Sequence, residues 1–373
     1  MVCLLPCLSA HTQTLAQKLG ARSGREIYLA ACSACHGNTG GGAPESQTLF
    51  ARPDTFPHFD RCDETTPEFT RDWTAIVRDG GATRGFSRIM PAFKEVLNAA
   101  EINRVVTYLR GLCTEPGWPQ GELNVPRALV TEKAFPESET VLTATAATSG
   151  RATVMNELAY ERTLGRRDQL EIATPFGWAR QPSGALVGGL GDVAVGIKHV
   201  LFSRLHAEPE QPLYDATGSI LSVQSELTLP TGNPRAGLGT GVFGVGMFVA
   251  YDVVLPVQSF VQLQGGTDLP FSTRNGPRSM YLRSAFGKSF SQHEFGRMWS
   301  PMVEIVGTRD FIHGAGTDWD VVPELQVTLN RRQHIRAAVG YDFPVTDAAG
   351  RARQVMAYFL WDWFDGGWLE GWR

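Results

Sequence analysis

The chain has 373 residues, more than one small domain needs, and 43% of them are hydrophobic against only 19% charged, a low charge content for a water-soluble protein. A formal net charge of −4 lacks the basic footprint of a nucleic-acid-binding protein. No apolar run reaches the roughly 18 residues of a membrane-spanning helix, so any crossing of a bilayer falls to strands.

The start, MVCLLPCLSAHTQTLAQK, carries an apolar run over Val2–Leu8 and small residues at Thr14 and Ala16. Residues 1–19 read as a secretory signal segment, although the usual Lys or Arg before the apolar run is missing. The six cysteines divide into pairs: Cys3 and Cys7 in the leader, Cys32 and Cys35 in one motif, Cys62 and Cys113 left over. In an oxidising compartment the last two either pair or stay as two buried thiols. Sequence alone does not supply the Cα separation that decides it.

Residues 20–113 carry a helical period. SGREIYLAAC opens at a Ser cap, and PEFTRDWTAIVRDGG spaces Phe69, Trp73, Ile76 and Val77 by three and four residues before stopping at Gly80-Gly81. NAAEINRVVTYLRGL places Asn98 at the N-cap and Glu101 three positions on, with a stripe of Ile102, Val105, Val106 and Leu109. Between the first two helices stands Cys32-Ser33-Ala34-Cys35-His36, the attachment signature of a c-type haem. Two thiols three positions apart add to the porphyrin vinyl groups, and the adjacent imidazole is held under the iron. A zinc ribbon needs a second C-x-x-C, which is absent, and a redox dithiol needs a βαβ setting. For the second axial position the stretch offers Met90, the one methionine between the leader and Met155, and His58.

The C-S-A-C-H-G run, Gly24 and Tyr28 in the first helix, the Met90-Pro91 step and Tyr108 in the last helix resemble a class I c-type cytochrome. The resemblance implies one covalent haem c on Cys32 and Cys35, with His36 and Met90 as axial iron ligands. It also implies a backbone carbonyl, that of Pro44, on the imidazole N–H. Trp73, Arg84 and Arg88 are where propionate contacts would be sought, but packing and solvated charge are the plainer readings. Tyr28 and Tyr108 read as helix–helix packing.

Residues 114–138, with Pro116, Pro119, Pro126 and Pro136, read as a Pro-rich linker with no core of its own. From 139 to 373 the period becomes two. Val245, Met247, Val249 and Tyr251 alternate with Gly244, Gly246, Ala250 and Asp252; Leu221, Val223 and Leu227 alternate with Ser222, Gln224 and Glu226. Val321, Leu325 and Val327 alternate with Glu324, Gln326 and Thr328. About twelve such segments, with Trp178, Trp299, Trp319, Trp361 and Trp363 near their ends, predict a transmembrane barrel whose outside is apolar and whose inside is polar. A soluble barrel needs the reverse. The fold class expected is therefore multidomain: an all-α cytochrome c domain, then an antiparallel transmembrane β-barrel of about 12 strands.

The run Gly189–Phe202, followed by SELTLPTGNPRAGLGTG, resembles the outer-membrane proteins encoded with phenol meta-cleavage pathways, a transport-related family. The order of the two halves is similar to that of cytochrome–porin fusions. A haem domain of this size has a radius of gyration near 12 Å, too wide for the lumen of about twelve strands, so the haem is expected at the periplasmic mouth. The expected role is electron exchange with periplasmic, or external, redox partners from the outer membrane. The alternative is an outer-membrane channel for small, including aromatic, solutes whose cytochrome serves a periplasmic enzyme. His199, His206, His293, His313 and His334 are scattered singly, no nucleophile–base set stands out, and no enzyme is expected.

Overall fold

The computed structural model describes residues 22–53, 56–150, 152–181, 183–206, 216–274, 276–291 and 296–372; the signal segment read over 1–19 lies outside them. Ser23 accepts from the Glu26 N–H while the Glu26 carboxylate accepts from the Ser23 N–H, a reciprocal cap that starts α1 (Gly24–Ala31). The chain turns at Cys32 into the single turn α2 (Ser33–His36) and continues through α3 (Cys62–Thr65) to α4 (Thr70–Asp79). Asn98 and Glu101 make the same reciprocal cap on α5 (Ala99–Arg110). Helices α1 and α5 cross closely because Gly24 has no side chain: a Cβ there would stand 2.0 Å from the Arg104 carbonyl oxygen. Tyr28 and Tyr108 fill the crossing with ring centroids 5.3 Å apart. Ile27, Tyr28, Trp73, Val77, Ile102, Val105 and Leu109 form the core. Cys62 and Cys113 are joined as a disulfide with Cα atoms 5.1 Å apart, tying α3 to the chain leaving α5.

The second unit is a closed antiparallel barrel of β1 (Thr140–Ala147), β2 (Thr153–Leu164), β3 (Asp168–Arg180), β4 (Leu186–Leu190), β5 (Val193–His206), β6 (Thr217–Leu229), β7 (Gly244–Leu255), β8 (Ser259–Pro270), β9 (Ser279–Lys288), β10 (Phe290–Ser291), β11 (Met298–Asp310), β12 (Asp318–Thr328), β13 (Ile335–Pro344) and β14 (Gln354–Trp361). β4 and β5 pair with successive stretches of β3, and β9 and β10 with successive stretches of β11, so the wall has 12 staves. Pairing of β14 with β1 and of β9 with β11 closes the ring and leaves no edge. A stave of 12 residues, as in β2, runs about 40 Å, or about 30 Å along the axis of a tilted barrel. That is enough to cross a bilayer.

Polarity is inverted relative to a soluble barrel. Leu158, Ile197, Met247, Leu263, Leu282, Phe286, Ile305 and Val339 face outward and are exposed. Glu161, Gln169, Lys198, Gln224, Asp252, Gln262, Gln264, Glu304 and Gln326 face inward and are buried. This is the alternation read from the sequence, and the aromatic residues Trp178 and Trp319 toward one rim, with Trp299 and Trp361 toward the other, bracket the apolar band. No helix among the described residues is long and apolar enough to cross a membrane.

The lumen is occupied, and here the reading of 114–138 as a linker changes. Residues 122–139 run inside the barrel, and their backbone groups are paired with strand side chains. Leu129 N–H donates to Glu324 (3.0 Å), Val130 and Thr131 to Glu304 (3.0 and 2.6 Å), Ala134 to Asp252 (2.7 Å) and Glu137 to Gln169 (2.6 Å). In return Pro126 O accepts from Gln262, Arg127 O from Tyr358 and Val130 O from Arg283. Arg127 bridges Glu161 at 2.6 Å, Glu139 at 3.1 Å and Glu132 at 3.2 Å. Buried Lys133 pairs with Glu137 and lies 4.0 Å from Glu139. The segment is a plug, and its prolines suit an extended path that forms no ladder of its own.

Glu304→Ala is expected to orphan the N–H groups of Val130 and Thr131, at about 1–3 kcal/mol for each buried donor. Heat-modified gel mobility, which reports barrel opening, should then shift at a lower temperature, with Glu304→Gln in between. Equal transitions in all three proteins would contradict the assignment of the plug contacts.

Candidate haem site

The α1–α2 turn is set by backbone bonds: Cys32 N–H donates to Tyr28 O at 2.8 Å and His36 N–H to Cys32 O at 2.9 Å. Tyr28 Oη donates to the Gly37 carbonyl at 2.6 Å, so a core residue of α1 holds the end of the motif. Cys32 and Cys35 are free, half-buried thiols. Burial, and then neighbouring Cys35, push the Cys32 thiol up to about 11. His36 is buried between two rings, Phe56 and Phe59, each with its centroid 4.9 Å away. That burial pushes the imidazole down to about 4, which keeps the ring neutral and a nitrogen lone pair available to a metal. Its Nδ1 is buried with no hydrogen-bond partner among the described residues. The Pro44 carbonyl expected there accepts from Gln47 N–H at 2.8 Å instead.

Met90 packs against the same apolar cluster as Cys32 and Tyr28. It sits at the end of a loop folded onto itself: Gly81 N–H donates to Met90 O at 3.1 Å and Phe86 N–H to Gly81 O at 2.9 Å. The structure therefore brings His36, Cys32 and Met90 to one core, with Cys35 one turn from Cys32. Two thiols at the attachment spacing, a neutral imidazole with an unpartnered buried nitrogen, and a thioether on the facing loop fit a c-type haem. Such a group would be held covalently by Cys32 and Cys35, and would supply one-electron chemistry.

Trp73 is core, its ring 5.4 Å from Phe59 and 4.6 Å from the Arg110 guanidinium. Buried Arg84 pairs with Asp72 at 2.9 Å, and Arg88 is exposed. Phe56 and Phe59, which flank His36, escaped the sequence reading. The signal was a cluster of phenylalanines, Phe50, Phe56 and Phe59, in an otherwise polar and proline-bearing loop.

The helical unit rests on the barrel end where β1 begins and β14 stops. Arg71 reaches Gln258 at 3.4 Å and Met298 Sδ at 3.3 Å. Glu122, at the root of the plug, accepts from Thr70 N–H at 2.8 Å and so caps α4, which has no side-chain cap at Phe69. Arg110 stands 3.5 Å from the same carboxylate. The connections at this end include 165–167 and 256–258, whereas 230–243 and 345–353 lie at the other.

Residues 20–109 match the family model described as cytochrome C oxidase, cbb3-type, subunit III. No curated protein matches the chain. Among solved structures, an outer-membrane channel from Pseudomonas putida F1 aligns at 14% identity and a TM-score of 0.45, over 63% of this chain and 99% of that one. The KdgM porin aligns at 8% identity and a TM-score of 0.32, over 60% of this chain and 98% of its own. The beta domain of the Bordetella autotransporter BrkA aligns at 13% and 0.34, over 60% and 97%. The N-terminal unit is a c-type cytochrome domain, which implies haem c. The second unit is a transmembrane barrel of 12 staves, an assignment carried by its closure and inverted polarity.

Helix α5 also gives a pH test. The Asn98 N–H, with help from Arg22, holds the Glu101 carboxyl below its ordinary value of 4.5. A depressed carboxylate contributes stability above the unfolded value, and that contribution is lost as pH falls through the folded one. Helical ellipticity on heating should show the wild-type midpoint dropping as pH falls below 4.5. Glu101→Gln keeps a capping-box acceptor but loses the charge at the helix start, so it should lose about 0.3–1 kcal/mol at neutral pH and show a flatter profile below 4.5.

Proposed function

We propose that this chain is an electron carrier, not an enzyme, that holds one haem c on Cys32 and Cys35 with His36 and Met90 as axial ligands. In this reading the barrel anchors it in the bacterial outer membrane and the haem domain lies on the periplasmic side. There it exchanges electrons with periplasmic redox proteins, and with external donors or acceptors through them. The observation that carries the proposal is the seating of the cytochrome domain on the barrel end that bears both barrel termini, with the lumen behind it filled by residues 122–139. The connections 165–167 and 256–258 on that side are short, as periplasmic turns usually are, and the stretch from His206 to Thr217 is the long exception. An apolar band about 25 Å tall is a long distance for direct transfer from a single haem, so the partners dock on the haem side.

A second reading keeps the barrel as a channel for small, including aromatic, solutes, with the cytochrome serving a periplasmic enzyme. Kinship to the outer-membrane proteins of phenol meta-cleavage pathways, resting on Gly189–Phe202, belongs to this reading. What favours it is the polar lumen, whose Glu304, Glu324 and Asp252 bonds to the plug are ones that water can replace. In the arrangement described here the plug must withdraw before solute passes.

Haem staining of fractionated membranes should place the cofactor in the outer-membrane fraction, and haem in the soluble fraction would sink the tether. The intact protein is expected to leave liposomes impermeable in swelling assays; size-selective entry would favour the channel. Met90→Ala should lose the sulfur-to-ferric-iron absorption band while keeping covalent haem, whereas Cys32→Ala with Cys35→Ala should lose haem staining on a denaturing gel. An unchanged Met90→Ala spectrum removes Met90 as ligand.

A further inference from the structure

The loop that carries Met90 is held from outside its own domain. Arg332 lies in the turn between β12 and β13, and its side chain is only 6% exposed. Its Nε and Nη2 both donate to the Gly85 carbonyl, at 3.1 and 2.9 Å, and its guanidinium lies 4.4 Å from the centroid of the Phe86 ring. Its Nη1 is engaged on the other side by the Asp365 carbonyl at 3.2 Å and by the Glu370 carboxylate. The guanidinium therefore spans two elements, the cytochrome loop and the C-terminal tail. The tail in turn is fixed to the barrel turn by Arg331 N–H on Gly371 O at 2.7 Å and by Asn330 Nδ2 on Glu370 O at 3.1 Å.

Gly85 itself is left-handed (φ 74°, ψ 17°), and a Cβ there would stand 2.7 Å from Gly371 Cα. The loop is thus pressed between an arginine fork and the tail, with no room for a side chain at the contact. From Gly85 and Phe86 the path to the thioether is short. Phe86 N–H is bonded to Gly81 O, and Gly81 N–H to Met90 O. A displacement at Phe86 moves Gly81, and Gly81 moves Met90.

We propose that Arg332 is a positioning residue for Met90: the barrel, through one guanidinium, holds the loop that presents the thioether to the iron. The proposal rests on the reading of Met90 as an axial ligand. It makes axial ligation depend on whether the cytochrome domain is docked. A freed loop lets the sulfur leave and admits external ligands. Lysine at this position keeps a charge for Glu370 but cannot fork onto Gly85 and stack on Phe86.

The test uses the full chain in detergent. In Arg332→Ala, amide exchange over 81–90 should rise about tenfold, an opening near 1.4 kcal/mol less costly, while α1 and α5 exchange as before. The same rise should be found in the haem-free Cys32→Ala, Cys35→Ala background, since the clamp does not need the cofactor. In the haem-loaded protein, imidazole should bind the ferric iron several-fold more tightly, with Arg332→Lys between the two. Glu370→Gln, a change at a half-exposed side chain, should give a smaller shift in the same direction and serves if Arg332→Ala does not fold. Unchanged exchange over 81–90 overturns the clamp. Raised exchange with unchanged imidazole affinity overturns the link to Met90. Absence of the sulfur-to-iron band in the wild type is a different failure, that of Met90 as ligand, and it removes the positioning role with it.

Discussion

The mutual need of the lumen and the plug for hydrogen-bond partners governs this structure. A barrel with an apolar outside turns its polar side chains inward. Buried carboxylates such as Glu304, Glu324 and Asp252 are costly without donors. An extended chain with no ladder of its own has the opposite need, backbone N–H groups without acceptors. Residues 129–137 meet both needs at once, and Arg127 and Lys133 bring the cations that Glu161, Glu139 and Glu137 require. Removing either member of such a buried pair strands the other.

Because the plug is continuous with the cytochrome domain, filling the lumen also positions the redox site. Glu122 caps α4, Arg110 joins that carboxylate to the Trp73 ring, and the disulfide fastens Cys113 to Cys62. The haem-site core and the plug root thus share side chains. Docking is completed from the barrel side by Arg332 and the tail. Burial pushes the Glu68 carboxyl up, and Asp365 from the tail lies beside it, so part of this contact is between acids rather than between opposite charges.

Much of this was legible in the sequence. Alternation over 139–373 is readable because lipid and lumen impose a strict two-sided choice on every stave. The motif at Cys32–His36 is readable because covalent attachment fixes its spacing. The plug was not legible. Its prolines and its mixed Glu122, Arg127, Glu132, Lys133 and Glu137 look like a solvated linker, and the partners that make it a folded element lie on strands far along the chain. Nor could spacing reveal that Cys62 and Cys113 meet, or that Phe56 and Phe59 enclose the imidazole. Nothing in the sequence marks Arg332, whose task comes from its forked bonds to the Gly85 carbonyl, 247 residues earlier in the chain.

The threading of residues 122–139 has a consequence for biogenesis. β1 and β14, the first and last staves, make the final seam, and the strap they enclose is knotted at its N-terminal end to a disulfide-locked globule too wide to follow it. The globule cannot be drawn through the ring, nor the strap inserted from the far rim, once the seam is sealed. The strap enters and leaves by the one rim that carries the globule, so it is laid in from that side alone, before the seam seals or by folding inward afterwards. The globule is thus a stopper: it fixes which rim the strap occupies and how far it can travel along the lumen.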